Sequence, residues 1–206
     1  MAVDDPKLAR LLEHPAIWRG RSAAQRPALS TGFAALDEHL PDKGWPRTGL
    51  IELLVSRFGS GELTVLLPAL TALTRAHGAR WCVWVAPPLM PFAPALASQG
   101  MVLDRVVLVG GAHPLWAFEQ TLGSGACDAV LAWARQLRLR EIRRVQLAAE
   151  RGRTLGVLFR PQQAALEASA AVLRLSLEPL PAGVRIILLK GRSTRRDAID
   201  LPWSAG

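Results

Sequence analysis

Ser56-Arg57-Phe58-Gly59-Ser60-Gly61-Glu62-Leu63-Thr64 separates a short apolar run, Leu50 to Val55, from a longer one, Leu63 to Leu73. The short run has the length of a buried strand and the long one that of a helix. Strand, glycine-rich turn and helix in that order make a phosphate-binding loop, whose working form is G-x-x-x-x-G-K-[ST]. There the backbone N–H groups cradle the phosphates, the lysine neutralises their charge and the hydroxyl holds magnesium. Here Ser56 stands at the first glycine position, Glu62 at the lysine and Leu63 at the hydroxyl, while Gly59, Ser60 and Gly61 remain between them. A carboxylate aimed at a triphosphate is repulsive, and Leu63 cannot ligate a metal. The loop therefore reads as a degenerate phosphate loop on a scaffold kept for something other than nucleotide hydrolysis.

Outward from this loop the chain alternates. The patterns predict strands at 50–55, 80–86, 105–109, 127–133, 154–159, 171–178 and 183–190, and helices at 63–77, 93–100, 114–124 and 134–151. A short amphipathic helix is expected at 7–18, bearing Leu8, Leu11, Leu12 and Ile17, followed by an Arg-containing linker to about Pro27. Alternation of this kind predicts an α/β domain with a mostly parallel central sheet flanked by helices, its last two strands forming an antiparallel hairpin. With half of its 206 residues apolar, the chain has enough apolar surface for a core without disulfides or metal.

Several chemistries are poorly supported. Cys82 and Cys127 both lie in apolar strand-like runs and are expected to be buried free thiols, as in a reducing compartment. His14, His39, His77 and His113 are scattered without cysteine or carboxylate at ligand spacing, so no metal site is expected. No Ser/His/Asp set is suggested, and no catalytic residue or cofactor is predicted. The acidic start, Met1 to Pro6, lacks the apolar stretch of a signal peptide. No run reaches the ~18 apolar residues of a membrane span. The expectation is a cytoplasmic protein with no membrane partner.

Further motifs flank the loop in register. Upstream stand Leu29-Ser30-Thr31-Gly32-Phe33-Ala34-Ala35-Leu36-Asp37 and Gly44-Trp45-Pro46-Arg47-Thr48-Gly49, and downstream Ser124-Gly125-Ala126-Cys127-Asp128 leads into Ala129-Val130-Leu131. With the loop, they make residues 28–200 resemble the ImuA family of small RecA/SulA-like proteins. That resemblance divides the chain into an N-terminal helix and linker (1–27), a RecA-like domain (28–200) and a tail (201–206). It also implies that the remaining catalytic stations of RecA-type enzymes are vacant. Pro87 stands where a water-activating Glu would be, Ala132-Trp133 where the Walker B acid would close its strand, and Pro161 where a phosphate-sensing Gln would be. Lys190-Gly191-Arg192 matches a Lys-x-Lys that RecA-type filaments extend toward a neighbour's nucleotide, and its plainer reading is a solvated strand end.

The function the resemblance implies is that of a non-catalytic accessory protein of the bacterial SOS response. Such a protein supports error-prone translesion synthesis through ImuB and an error-prone C-family DNA polymerase, with RecA or a second copy as further partners. Two alternatives stay open: a SulA-type division inhibitor acting on FtsZ, and a residual ATP-binding switch. In an assembly role, Leu8, Leu11, Leu12 and Ile17 would dock on a neighbouring subunit, recruit ImuB or fold back on the core.

Charge is distributed unevenly. Residues 1–130 hold 11 Lys/Arg against 11 Asp/Glu, and residues 131–206 hold 14 against 6, so the whole net charge of +8 lies in the second part. On the predicted helix 134–151, Leu137, Ile142, Val145, Ala148 and Ala149 form one apolar arc, with Arg140, Arg143, Arg144 and Arg151 opposite. With Lys190, Arg192, Arg195 and Arg196, these arginines are candidates for a surface that meets DNA backbone or an acidic protein, against the plain reading of a solvated face. Of the seven tryptophans, Trp81, Trp84 and Trp133 are expected to pack on the sheet, while Trp18, Trp45, Trp116 and Trp203 at element edges either cap the core or anchor a partner.

Overall fold

In the computed structural model, which describes residues 28–191 and 198–202, an eight-stranded sheet is covered by helices on both faces. The strands are β3 (Gly49–Val55), β4 (Trp81–Val85), β5 (Val106–Val109), β6 (Cys127–Trp133), β7 (Leu155–Pro161), β8 (Leu173–Leu180), β9 (Gly183–Lys190) and β10 (Ala198–Pro202). They lie in the order β10-β9-β8-β3-β7-β6-β4-β5. Pairings from β8 through β3, β7, β6 and β4 to β5 are parallel, whereas β8 with β9 and β9 with β10 are antiparallel. A two-residue pair, β1 (Ala28–Leu29) with β2 (Trp45–Pro46), stands apart from the sheet. Mixed α/β architecture with a mostly parallel sheet is thus observed, and β3 is buried along its whole length, as a central parallel strand should be.

The helices are α1 (Ala34–His39), α2 (Leu67–Arg75), α3 (Ala93–Ser98), α4 (Pro114–Gly123) and α5 (Leu139–Gly152). One face of the sheet, with Ile51, Leu53, Trp84 and Phe159, packs on α1, α2 and α3 through Leu36, Leu70 and Leu96. The other, with Leu50, Val130 and Leu158, packs on α4 and α5 through Phe118, Leu122, Ile142, Val145 and Ala149. The motif Ser30-Thr31-Gly32…Asp37 is a local knot: Thr31 N–H and Ser30 Oγ–H donate to the Asp37 carboxylate (2.8 and 2.7 Å). Gly32, at φ +84°, lies so close to Pro68 of α2 that a side chain there would collide.

Three expectations change. The helix predicted at 63–77 is α2, 67–75, and Leu63 to Leu66 form turns instead; Pro68, which has no N–H to donate, falls in its first turn. The helix predicted at 134–151 begins only at Leu139, because the Glu141 carboxylate accepts the Arg138 N–H (2.7 Å) and caps it there. Strand β10 was not predicted, and its Leu201 and Pro202 fall in the segment read as tail. Leu8, Leu11, Leu12, Ile17, Trp18, Arg192, Arg195, Arg196 and Trp203 lie outside the described residues.

Candidate functional site

Strands β3, β4, β6 and β7 run parallel, and the loops leaving their carboxyl ends meet where open α/β sheets bind ligands. The degenerate loop follows β3 there. Glu62 does not point outward at a triphosphate, as its sequence position suggests. It is buried and folds back into its own loop. Gly59 N–H donates to its Oε1 and Oε2 (2.9 and 3.0 Å), Ser60 N–H to its Oε2 (2.9 Å) and Trp133 Nε1–H to its Oε1 (3.2 Å). Successive loop N–H groups form a concavity suited to an anion, and the chain's own carboxylate fills it. The Glu62 side chain is thus turned into its own loop and held there.

The surroundings are apolar. Trp133, at the end of β6 where a Walker B acid would sit, stacks on Phe159 of β7 (centroids 4.8 Å apart) and tilts against Trp84 of β4 (6.3 Å). Ala86 leaves β4 with φ +47°, a conformation L residues seldom adopt, and turns the chain into Pro87-Pro88-Leu89-Met90-Pro91-Phe92. That segment crosses the degenerate loop. Leu89 lies over Gly59, which at φ +80° adopts a conformation that L side chains rarely take; a Cβ there would also stand 2.7 Å from a Leu89 methyl. Between them is a cavity of about 200 Å³ lined by Trp84, Trp133, Leu89, Met90 and Pro91 beside Gly61. Met90 is 82% exposed and Phe92 71%, an apolar rim facing solvent. Phe58, from the same loop, carries the Arg135 guanidinium over its ring at 5.4 Å.

The other candidates do not converge on this place. Arg140, Arg143, Arg144 and Arg151 are exposed on one side of α5, opposite buried Ile142, Val145, Ala148 and Ala149, as predicted. Leu137 precedes the helix and is only partly buried, so it drops out of the arc. Arg144 is paired with Glu119 of α4, which holds its guanidinium still more firmly protonated than usual. Lys190 ends β9 and donates to the Ser169 carbonyl (2.8 Å); burial and then nearby Arg174 pull its pKa down, against a smaller upward pull from Glu52. Trp84 is buried as expected and Trp133 partly so, whereas Trp81 remains 42% exposed; Trp45 caps the core, and Trp116 faces solvent.

A second buried carboxylate escaped the sequence reading. Glu52, mid-strand in β3, receives Arg174 Nε–H of β8 (2.6 Å), and Arg160 of β7 lies 3.5 Å away. Arg174 also donates to the carbonyls of Ala164 and Glu167, and Arg160 to the Glu167 carboxylate (2.7 Å). The signal was present: one acid inside an apolar strand needs a cation on the neighbouring strands. Gln146, inside the predicted arc, was also missed. It accepts the Leu50 N–H (2.6 Å) and so ties α5 to the start of β3.

Cys82 and Cys127 are buried free thiols. Among the described residues no cluster could hold a metal ion, and no helix is long and apolar enough to cross a membrane.

The family model described as cell division inhibitor SulA matches residues 49–156, from the start of β3 into β7, and so includes the loop and its cavity. The cell division inhibitor SulA of Pectobacterium atrosepticum is 31% identical over 149 residues, covering 70% of this chain and 87% of that protein. The chain belongs to the SulA family. Other members are SulA of Edwardsiella piscicida, 30% identical over 128 residues and 76% of its length, and SulA of Photorhabdus laumondii, 33% identical over 116 residues. The match with the Photorhabdus protein spans 64% of that protein's length. The crystal structure of SulA from Pseudomonas aeruginosa aligns with 54% of this chain and 97% of its own, at 24% identity and a TM-score of 0.46.

Proposed function

We propose that this SulA-family chain is a non-catalytic interaction protein that restrains cell division by binding FtsZ, on a RecA-like scaffold whose nucleotide site has become part of a docking surface. The observation that carries this reading is Glu62 inside the degenerate loop. An anion site filled by the chain's own carboxylate has no use for ATP, which argues against both hydrolysis and a residual ATP-binding switch. What remains at the carboxyl edge of the sheet is an apolar cavity lined by Leu89, Met90 and Pro91, with exposed Phe92 following in the chain. Exposed apolar side chains of this kind suit a protein partner better than a charged metabolite. Membership of the family described as cell division inhibitor SulA supports division inhibition as the activity, and FtsZ is the partner that a SulA-type role implies.

The test is polymerisation of FtsZ with GTP, followed by sedimentation, with and without this chain. Inhibition that weakens in Met90→Asp, a variant at an exposed position, is the expected result. FtsZ that sediments equally in the presence of excess folded chain sinks the reading.

A second reading, the ImuA-type accessory role in translesion synthesis, rests on the sequence resemblance of residues 28–200 alone. Pull-down of ImuB and the error-prone polymerase by this chain, with FtsZ assembly unaffected, would favour it. Both readings place the protein in the SOS response.

A further inference from the structure

Helices α4 and α5 cover the face of the sheet opposite α1, α2 and α3 and present an outer surface to solvent. On α5, Leu139, Arg143, Leu147 and Arg151 recur every four residues and share one exposed side. Leu147 is 57% exposed and Leu139 44%. On α4, Trp116 is 63% exposed. It stands about one turn before Glu119, the partner of Arg144, much as Arg140 stands one turn before Arg144. The two helices thus combine an indole, two leucines and several guanidiniums. Arg140 and Arg143 form no ion pair among the described residues, and the nearby acids are engaged: Glu119 by Arg144, Glu141 by the helix cap and Glu150 by Gln146 (2.8 Å).

We infer that this face docks an acidic amphipathic segment of another protein, its carboxylates meeting Arg140 and Arg143 and its apolar side chains covering Trp116, Leu139 and Leu147. The composition is that of an interface, where tryptophan and arginine anchors carry most of the binding energy. From Leu139 to Arg151 the stripe is about 18 Å long at 1.5 Å per residue, room for a helix of about three turns. Charge selects the occupant. A second copy offering the same face would set arginine against arginine. The chain's own residues 1–27 carry five Lys/Arg against three Asp/Glu, the wrong sign. A DNA backbone would satisfy the guanidiniums but gains nothing from Leu139 and Leu147 interleaved among them.

The full chain is titrated into two labelled probes, a short helical peptide with Glu and Leu along one face and a short DNA duplex, with binding read by fluorescence anisotropy. The peptide binds, and Arg143→Glu and Leu147→Ser each weaken it by roughly tenfold or more, as removal of an interface anchor does. Both positions are exposed, so the variants keep the circular dichroism of the parent; Leu139→Ser substitutes for either that does not. Tighter binding to the duplex, lost in Arg143→Glu and kept in Leu147→Ser, overturns the proposal in favour of a nucleic-acid surface. Failure of both probes to bind, or peptide binding indifferent to the substitutions, overturns it as well.

Discussion

Glu52 and Glu62 are both buried carboxylates, one at the middle of β3 and the other in the loop that follows it, and opposite means hold them. Glu62 takes neutral donors, two backbone N–H groups and an indole, at the edge of a cavity open to solvent. Glu52 takes guanidiniums from the strands on either side of β3, beneath the segment 162–167. The loop carboxylate occupies the concavity formed by its own loop's N–H groups. The strand carboxylate ties three strands and their cover together, and its network is imperfect, since Glu52 Oε1 and Arg160 Nε and Nη1 lack a hydrogen-bond partner. A buried group of the first kind shapes one loop, and one of the second kind links neighbouring strands.

That contrast breaks first at Glu52. Glu52→Ala leaves Arg174 buried without a carboxylate and Arg160 with Glu167 alone, and should cost about 3–5 kcal/mol in urea unfolding, whereas replacing Glu52, Arg160 and Arg174 together by apolar residues of similar volume should be close to neutral. A loss below about 1 kcal/mol for Glu52→Ala would mean that the network braces nothing.

Cys82 adds a buried acid in the apolar core, where Trp84 Nε1–H donates to its sulfur at 3.4 Å. Burial pushes its thiol up to about 12 from 9.0. A folded-state pKa above the unfolded one favours the protonated native form, so this contribution is complete below pH 9 and is lost as pH rises toward 12. Relative to Cys82→Ala, the parent should lose about 1.4 kcal/mol per pH unit above pH 9, read from urea midpoints. Parallel curves for the two proteins would place the thiol in contact with water.

Glu62→Ala comes next. It strands the Gly59 and Ser60 N–H groups, at a cost toward the lower end of about 1–3 kcal/mol because water can enter from the cavity. It should also give the loop a new property. Sulfate should raise the melting temperature of the variant in a concentration-dependent way and leave the parent unmoved. The parent should likewise show no shift with millimolar ATP and magnesium. Saturable ATP binding by the parent, abolished by substituting Gly61, would mean that Glu62 leaves the loop when nucleotide arrives.

Much of this was legible in the order of residues. The strand, loop and helix around Gly59 and Gly61, the alternation of elements and the buried arc of α5 all follow from local pattern. What stayed hidden depends on contacts between distant residues. Glu62 turns inward onto the Gly59 and Ser60 N–H groups beside it and is completed by Trp133, 71 positions away, and Glu52 finds Arg174 122 positions away. Glu62 was read as a repelling charge because composition gives a carboxylate's sign and withholds its direction. Strand β10 was missed because Ala198 to Pro202 is only five residues long and ends in a proline, and among the described residues it pairs only with β9.

The smallest effects belong to α5, where the sequence treats Arg143 and Arg144 as equals and the structure does not. Arg143 is exposed and forms no ion pair among the described residues, so Arg143→Glu should change stability by no more than about 0.5 kcal/mol. Arg144 is bonded to Glu119, and Arg144→Glu sets two carboxylates against each other between α4 and α5. It should lower the melting temperature more than Arg143→Glu does, and 1 M salt should shrink the difference because the pair is at the surface. Glu119→Gln supplies the control. In that background Arg144→Glu should cost little more than Arg143→Glu, since the repulsion has lost one of its members. Equal effects of the two arginine substitutions in the parent would mean that the Arg144–Glu119 contact adds nothing to the packing of α4 on α5.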